Sequence, residues 1–250
     1  QFVKAAVVSR ELRGHSYAKE IIVHTGQHYD SNMSGRFFYD LGLAEPDYNL
    51  AIGSGSHGQQ TARVIERLEP VLVETRPDWL VVYGDTNSTL GAVICASKLG
   101  VPIAHVEAGL RSMRRDMPEE INRVVADHLS DLCFAPTTDA VDALAREGIV
   151  GDRVALVGDV MYDAAKIFSV HESESLLDKL GVEAGKYVLA TAHRAENTSV
   201  PERIRVIVTA LCELAASIPV IMPLHPRTAQ VLRDNGLLKV LQRSKVIVLE

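Results

Sequence analysis

Apolar and polar positions along this chain follow two rhythms: short apolar runs, and longer stretches between them with helical spacing. The runs fall at 20–26, 79–84, 102–107, 132–135, 154–159, 187–191, 219–223 and 245–249, and predict strands. Between them the spacing predicts helices around 30–42, from Gln59 to Thr75 with a stop at Pro77, and over 87–99 with an end at Gly100. Further helices are predicted from Pro118 through PEEINRVVADHL and over 138–147, 201–216 and 226–235. The chain opens on QFVKAAVVSREL, an amphipathic helical pattern, where a doubly wound domain normally opens on a strand. It closes on a strand, KVIVLE, so both ends read as cut.

Strands that alternate with helices of this length form parallel sheets. A polar, helical stretch from about 160 to 186, with HESES at 171–175, reads as a hinge, and the alternation restarts after it. The expected architecture is therefore α/β with two Rossmann-like domains, 1–165 and 166–250, and a cleft between them. The first would lack its opening strand and the second would be incomplete.

Five of the runs end on side chains able to do chemistry: Gln27 and His28, Asp85, Glu107, His193 and His225. Ligands of open parallel sheets bind beyond the carboxyl ends of the strands, so these positions point to one composite site. Asp85 and Glu107 end consecutive strands, and Glu119 and Glu120 open the next predicted helix. Several carboxylates around one cleft suit general acid–base work. Asp85 alone reads equally well as a cap for the helix that follows it. His193 with Arg194, and His225 with Arg227, stand where helix N-termini should favour anions. The ligand these suggest is phosphorylated, a nucleotide diphosphate. The glycine-rich GSGSHG (53–58) has neither the lysine of a P-loop nor the spacing of a dinucleotide fingerprint.

Composition narrows the class. The net charge is −6, so no global basic character argues for nucleic acid. Arg111, Arg114 and Arg115 form a short basic cluster that reads either as a solvated loop or as a local anion contact. Cys95, Cys133 and Cys212 are widely spaced in apolar runs with no CxxC, as expected of reduced thiols in a cytoplasmic protein. No run reaches the length of a membrane span, and no signal-peptide pattern opens the chain. His105 and Glu107 share one strand face, and His24 and His28 straddle a strand end. Neither arrangement matches a strong ligand spacing, so no metal site is expected.

TGQHYD (25–30), YGDTNSTL (83–90), HVEAGLRS (105–112), MPEEINR (117–123), FAPT (134–137), GDVMYDA (158–164) and TAHRAEN (191–197) together resemble the non-hydrolysing UDP-N-acetylglucosamine 2-epimerases. The resemblance implies two domains like those of GT-B glycosyltransferases, with a UDP-sugar in the cleft. It implies reversible inversion at C2 with no cofactor, serving cell-surface polysaccharide synthesis, and a homodimer. By motif, Asp85, Glu107 and Glu119 correspond to catalytic carboxylates, and His193 to an essential histidine near the diphosphate. Asn122, Arg123 and Arg194 correspond to substrate contacts. Gln27, His28 and His225 match positions that in some members bind a second, activating UDP-sugar. The family's opening GTRPE turn and its DSGG…EE segment are absent, which implies a partial view of a longer enzyme or an inactive fragment. TGQHYD, GSGSHG and PEEINR also resemble a branch that includes UDP-2,3-diacetamido-sugar epimerases. A hydrolysing 2-epimerase, a GT-B glycosyltransferase and a non-catalytic nucleotide-sugar sensor are the rival readings.

Overall fold

The computed structural model describes residues 1–26, 38–169 and 174–249. The chain divides into two compact units, Gln1–Ser169 and Val170–Glu250.

Unit 1 begins with helix α1 (Phe2–Arg13), followed by two short strands, β1 (Val23–His24) and β2 (Tyr48–Asn49), paired in parallel. Helix α2 (His57–Thr75) starts at Ser56, where Ser56 and Gln59 form a reciprocal capping box. GSGSHG therefore serves as a helix start. Strand β3 (Leu80–Tyr83), helix α3 (Asn87–Leu99), strand β4 (Ile103–Val106) and helix α4 (Pro118–Leu129) come next. The unit continues with strand β5 (Leu132–Ala135), helix α5 (Thr138–Arg146), strand β6 (Val154–Leu156) and helix α6 (Val160–Phe168). Strands β3 to β6 form one parallel sheet in chain order.

Local chemistry explains these boundaries. Thr86 caps α3 and Gly100 ends it in the left-handed conformation. Pro118 occupies the first turn of α4, where its missing N–H costs nothing. All four residues of β4 are buried, as expected of a strand covered on both faces. Its Ile103 joins a core with α2, α3 and β3 residues, including Val64, Leu68, Val93 and Val82. The stretch 160–186 is not uniformly a polar hinge. Val160–Phe168 forms a helix within unit 1, capped by Asp159 and anchored by buried Ala164. Strand β6 stops at Leu156, short of the expected 159, because Gly158 takes a left-handed backbone and Asp159 caps α6.

Unit 2 contains α7 (Glu174–Leu180), β7 (Val188–Leu189), α8 (Ala195–Thr198), α9 (Pro201–Leu214), β8 (Val220–Pro223), α10 (Pro226–Asp234), α11 (Leu237–Arg243) and β9 (Val246–Leu249). Its three strands are parallel, in the order β7-β8-β9. Ile204, Val208, Met222, Leu232 and Leu241 build its separate core. Helix α11 was not expected from the pattern.

Candidate active site

Strands β3 and β4 are neighbours, and each ends in a turn that lifts a carboxylate out of the sheet. After β3 the chain turns at Gly84 (φ +59°) into Asp85. After β4 it turns at Glu107 itself, whose φ of +74° is rare for a residue with a side chain. Glu107 and Ala108 both donate their backbone N–H groups to Phe134 O, at 3.2 and 3.1 Å, which holds that conformation.

Each carboxylate has its own cation. Asp85 pairs with the Arg123 guanidinium, and Glu107 pairs with the Lys4 ammonium. All four side chains are about four-fifths covered, so screening is weak and the charges hold one another in place. The cap of α3 is Thr86, so the Asp85 carboxylate is left for Arg123 and does not serve as the cap. The amide of Asn122 donates to Asp85 O at 2.8 Å and reaches Asn87 Oδ1 at 3.4 Å. Asn122 is buried, so its amide is used in holding the Asp85 turn.

The acidic pair opening α4 splits by environment. Glu119 is exposed, whereas Glu120 is buried. Glu120 accepts from Ser112 N and Oγ, both at 2.8 Å, from Met113 N at 2.9 Å, and from Arg123 Nη1 at 3.2 Å. Burial opposes its ionisation, but these donors outweigh burial and hold the carboxyl below its usual range. Glu120 thereby fixes the loop after β4 and aims Arg123 at Asp85.

Beneath both turns lies a fully buried group. His105 on β4 contacts Asp127 Oδ1 through Nδ1 at 2.6 Å and Gly84 O through Nε2 at 2.8 Å. Asp127 Oδ2 accepts from Gly109 N at 3.0 Å and from Arg111 Nη1 at 2.7 Å. Arg111 also forks onto both oxygens of Glu147, at 2.8 Å each. Burial works against ionised Asp127, yet His105 and Arg111 hold its carboxyl low. Arg111 is thus committed internally, and Arg114 pairs with Asp116, so neither is a vacant anion contact. Both nitrogens of His105 are engaged, which removes it as a metal ligand. Among the described residues no cluster of three acidic, histidine or cysteine side chains is arranged to hold a metal.

In unit 2 the ends of adjacent strands β7 and β8 bring His193 and His225 together, with ring centroids 6.2 Å apart and planes 30° from parallel. Thr228 Oγ1 donates to Ala192 O at 2.8 Å and fastens the His193 loop to the start of α10. His225 Nδ1 accepts from Arg227 N at 3.2 Å and caps α10, leaving Nε2 as the ring donor. His193 Nδ1 meets Thr191 Oγ1 at 3.1 Å. His193, Arg194, His225 and Arg227 are all exposed, as suits a surface that receives an anion. Gln27 and His28 lie outside the described residues.

No local pattern in the sequence singles out Lys4, Asn87, Asp127 or Glu147. Lys4 sits on an amphipathic helix where a lysine is unremarkable, and Asp127 is one acid among several on α4. Only the fold brings them to the strand ends.

Comparison with known proteins adds to this geometry. A family model described as UDP-N-acetylglucosamine 2-epimerase matches residues 10–249. The UDP-2,3-diacetamido-2,3-dideoxy-D-glucuronate 2-epimerase of Pseudomonas aeruginosa is 49% identical over 240 residues, covering 95% of this chain and 67% of that protein. A UDP-N-acetylglucosamine 2-epimerase of Methanococcus maripaludis is 42% identical, covering 99% of this chain and 68% of its own length. The crystal structure of Methanocaldococcus jannaschii UDP-GlcNAc 2-epimerase in complex with UDP-GlcNAc and UDP superposes with a TM-score of 0.89 at 40% identity, over 100% of this chain and 70% of that one. The chain spans about two thirds of the length of the curated relatives it matches.

Proposed function

This chain belongs to the UDP-N-acetylglucosamine 2-epimerase family, and from that membership we propose that it inverts C2 of a UDP-2-acetamido sugar by eliminating and re-adding UDP. The observation that carries the reading is the pair of cation-bound carboxylates, Asp85 and Glu107, on adjacent strand-end turns.

The C2 proton is not next to a carbonyl, so deprotonation alone is too costly. In the proposed path the C1–O bond breaks with its electron pair going to UDP. The C2 proton passes to a carboxylate as the C1–C2 double bond of 2-acetamidoglucal forms. Re-addition of UDP at C1, with a proton delivered to the other face of C2, gives the epimer. Asp85, Glu107 and Glu119 are the acids and bases available for these transfers, and positioned groups of this kind contribute about 10²–10⁴-fold each. Arg123 orients Asp85 and Lys4 orients Glu107. His193 and Arg194 supply donors suited to the diphosphate as charge develops on it. His225 and Arg227 are assigned to the same chemistry, or to a second UDP-sugar.

UDP-N-acetylglucosamine is the substrate proposed first. The 49% identity to the P. aeruginosa enzyme supports a second reading, a 2,3-diacetamido uronate as the sugar. Turnover by the intact protein in D₂O, followed by NMR with each sugar nucleotide, separates these. Deuterium at C2 together with the epimeric UDP-sugar is the expected outcome, and the sugar that gives it is the substrate. Free sugar plus UDP would instead identify a hydrolysing enzyme, and no exchange with either sugar would overturn the reading.

A further inference from the structure

Asp85 and Glu107 stand on separate turns, and a two-carboxylate reaction needs those turns fixed relative to each other. Reacting groups displaced by about 1 Å lose rate on the order of 100-fold. One buried pair reaches both turns. Gly84 O can only accept, so His105 Nε2 donates to it at 2.8 Å and holds the turn that carries Asp85. His105 Nδ1 meets Asp127 Oδ1 at 2.6 Å, and Asp127 Oδ2 takes the Gly109 N–H at 3.0 Å, which closes the turn that carries Glu107. His105 and Asp127 have no side-chain exposure at all, so neither can touch a substrate.

We propose that His105 and Asp127 form a positioning couple that sets the spacing of Asp85 and Glu107, so that epimerisation depends on two residues remote from the sugar. The alternative is a histidine that only fills and satisfies the core. Three details oppose that alternative. Both ring nitrogens are spent on the two catalytic turns or on the residue that bridges them, and none on the rest of the core. The backbone at Glu107 is left-handed, a conformation that persists only where its surroundings impose it. Gly109, also left-handed at φ +82°, has no room for a Cβ beside Ala140 O, so the turn is closely packed on its far side.

The proposal rests on the epimerase reading, and its test separates the two. In the intact protein, His105→Asn keeps an amide near the Nδ1 position, facing Asp127, but gives up Gly84. His105→Gln places an amide near Nε2 and keeps the hold on Gly84. Leu68→Ala, in the core between α2 and α3, serves as a control for destabilisation alone. C2 deuterium exchange and kcat are read beside KM, and amide hydrogen exchange is read at Gly84 and Gly109.

His105→Asn is expected to lower kcat on the order of 100-fold with KM little changed, and to speed exchange at the Gly84 amide. His105→Gln should recover part of the kcat, and Leu68→Ala should lose thermal stability with kcat retained. The proposal is overturned if His105→Asn turns over like wild type, or if its kcat loss matches that of an equally destabilised Leu68→Ala. If wild type itself fails to exchange the C2 proton, the epimerase reading falls. The amide data then still decide the couple: unchanged exchange at Gly84 and Gly109 in both His105 variants overturns it for any reaction.

Discussion

Asp85 and Glu107 differ in what neutralises them, and that difference is testable one residue at a time. Asp85 faces an arginine already braced by Glu120, whereas Glu107 faces a lysine on a long flexible stem. Asp85→Asn and Glu107→Gln should each lower kcat by about 10²–10⁴-fold while UDP affinity, measured by calorimetry, stays near that of wild type. Near-normal turnover in both would remove them from the chemistry. Lys4→Met leaves Glu107 mostly covered and without its counter-charge, a costly state for a carboxylate. It should lower kcat by at least tenfold, and Lys4→Arg should lower it less. Asp85 and Glu107 were legible in the sequence because each directly follows an apolar run. Lys4 was not, because its meaning depends on α1 being brought against the end of β4.

Helix α4 acts as a clamp. Over two turns it presents Glu120 to the loop after β4, Asn122 and Arg123 to the Asp85 turn, and Asp127 to His105 and Gly109. Two of those carboxyls, on Glu120 and Asp127, are held below their ordinary range, so they stabilise the fold only while ionised. Their contribution is complete above the unfolded carboxylate values of about pH 4 and is lost as the pH falls through the lower folded values. Urea midpoints should therefore drop steeply below about pH 4, and Glu120→Gln should flatten that limb while lowering the midpoint at neutral pH. The turn gripped by Asp127 is equally demanding. Gly109→Ala meets both the left-handed backbone and Ala140 O, and should cost roughly 1–3 kcal/mol by urea titration.

Element by element, legibility followed local signals. Helix α3 ran over 87–99 as expected because Thr86 and Gly100 mark both ends. The two-residue strand β2 (Tyr48–Asn49) exists by pairing with β1, which no local pattern encodes. Helix α11, LLKVLQR, is only seven residues long and carries no side-chain cap.

For the whole molecule, the separate cores matter most. The packing of Val64, Leu68 and Val93 in unit 1 shares no residue with that of Val208, Leu232 and Leu241 in unit 2. Leu241→Ala should remove about 2–5 kcal/mol from unit 2. The single tryptophan, Trp79, lies just before β3 and reports on unit 1. Its fluorescence midpoint should hold while the circular dichroism transition broadens or splits; a common shift of both signals would mean that the units unfold as one. The thiols have a practical consequence. Cys95 and Cys133 are buried, and burial pushes the Cys133 thiol up to about 12, whereas Cys212 on α9 is only partly covered. A maleimide dye at neutral pH should therefore attach to unit 2 while the one indole sits in unit 1. The unaltered sequence thus supplies a donor and a single attachment point for an acceptor, an optical ruler that can follow the two units against each other as a sugar nucleotide binds.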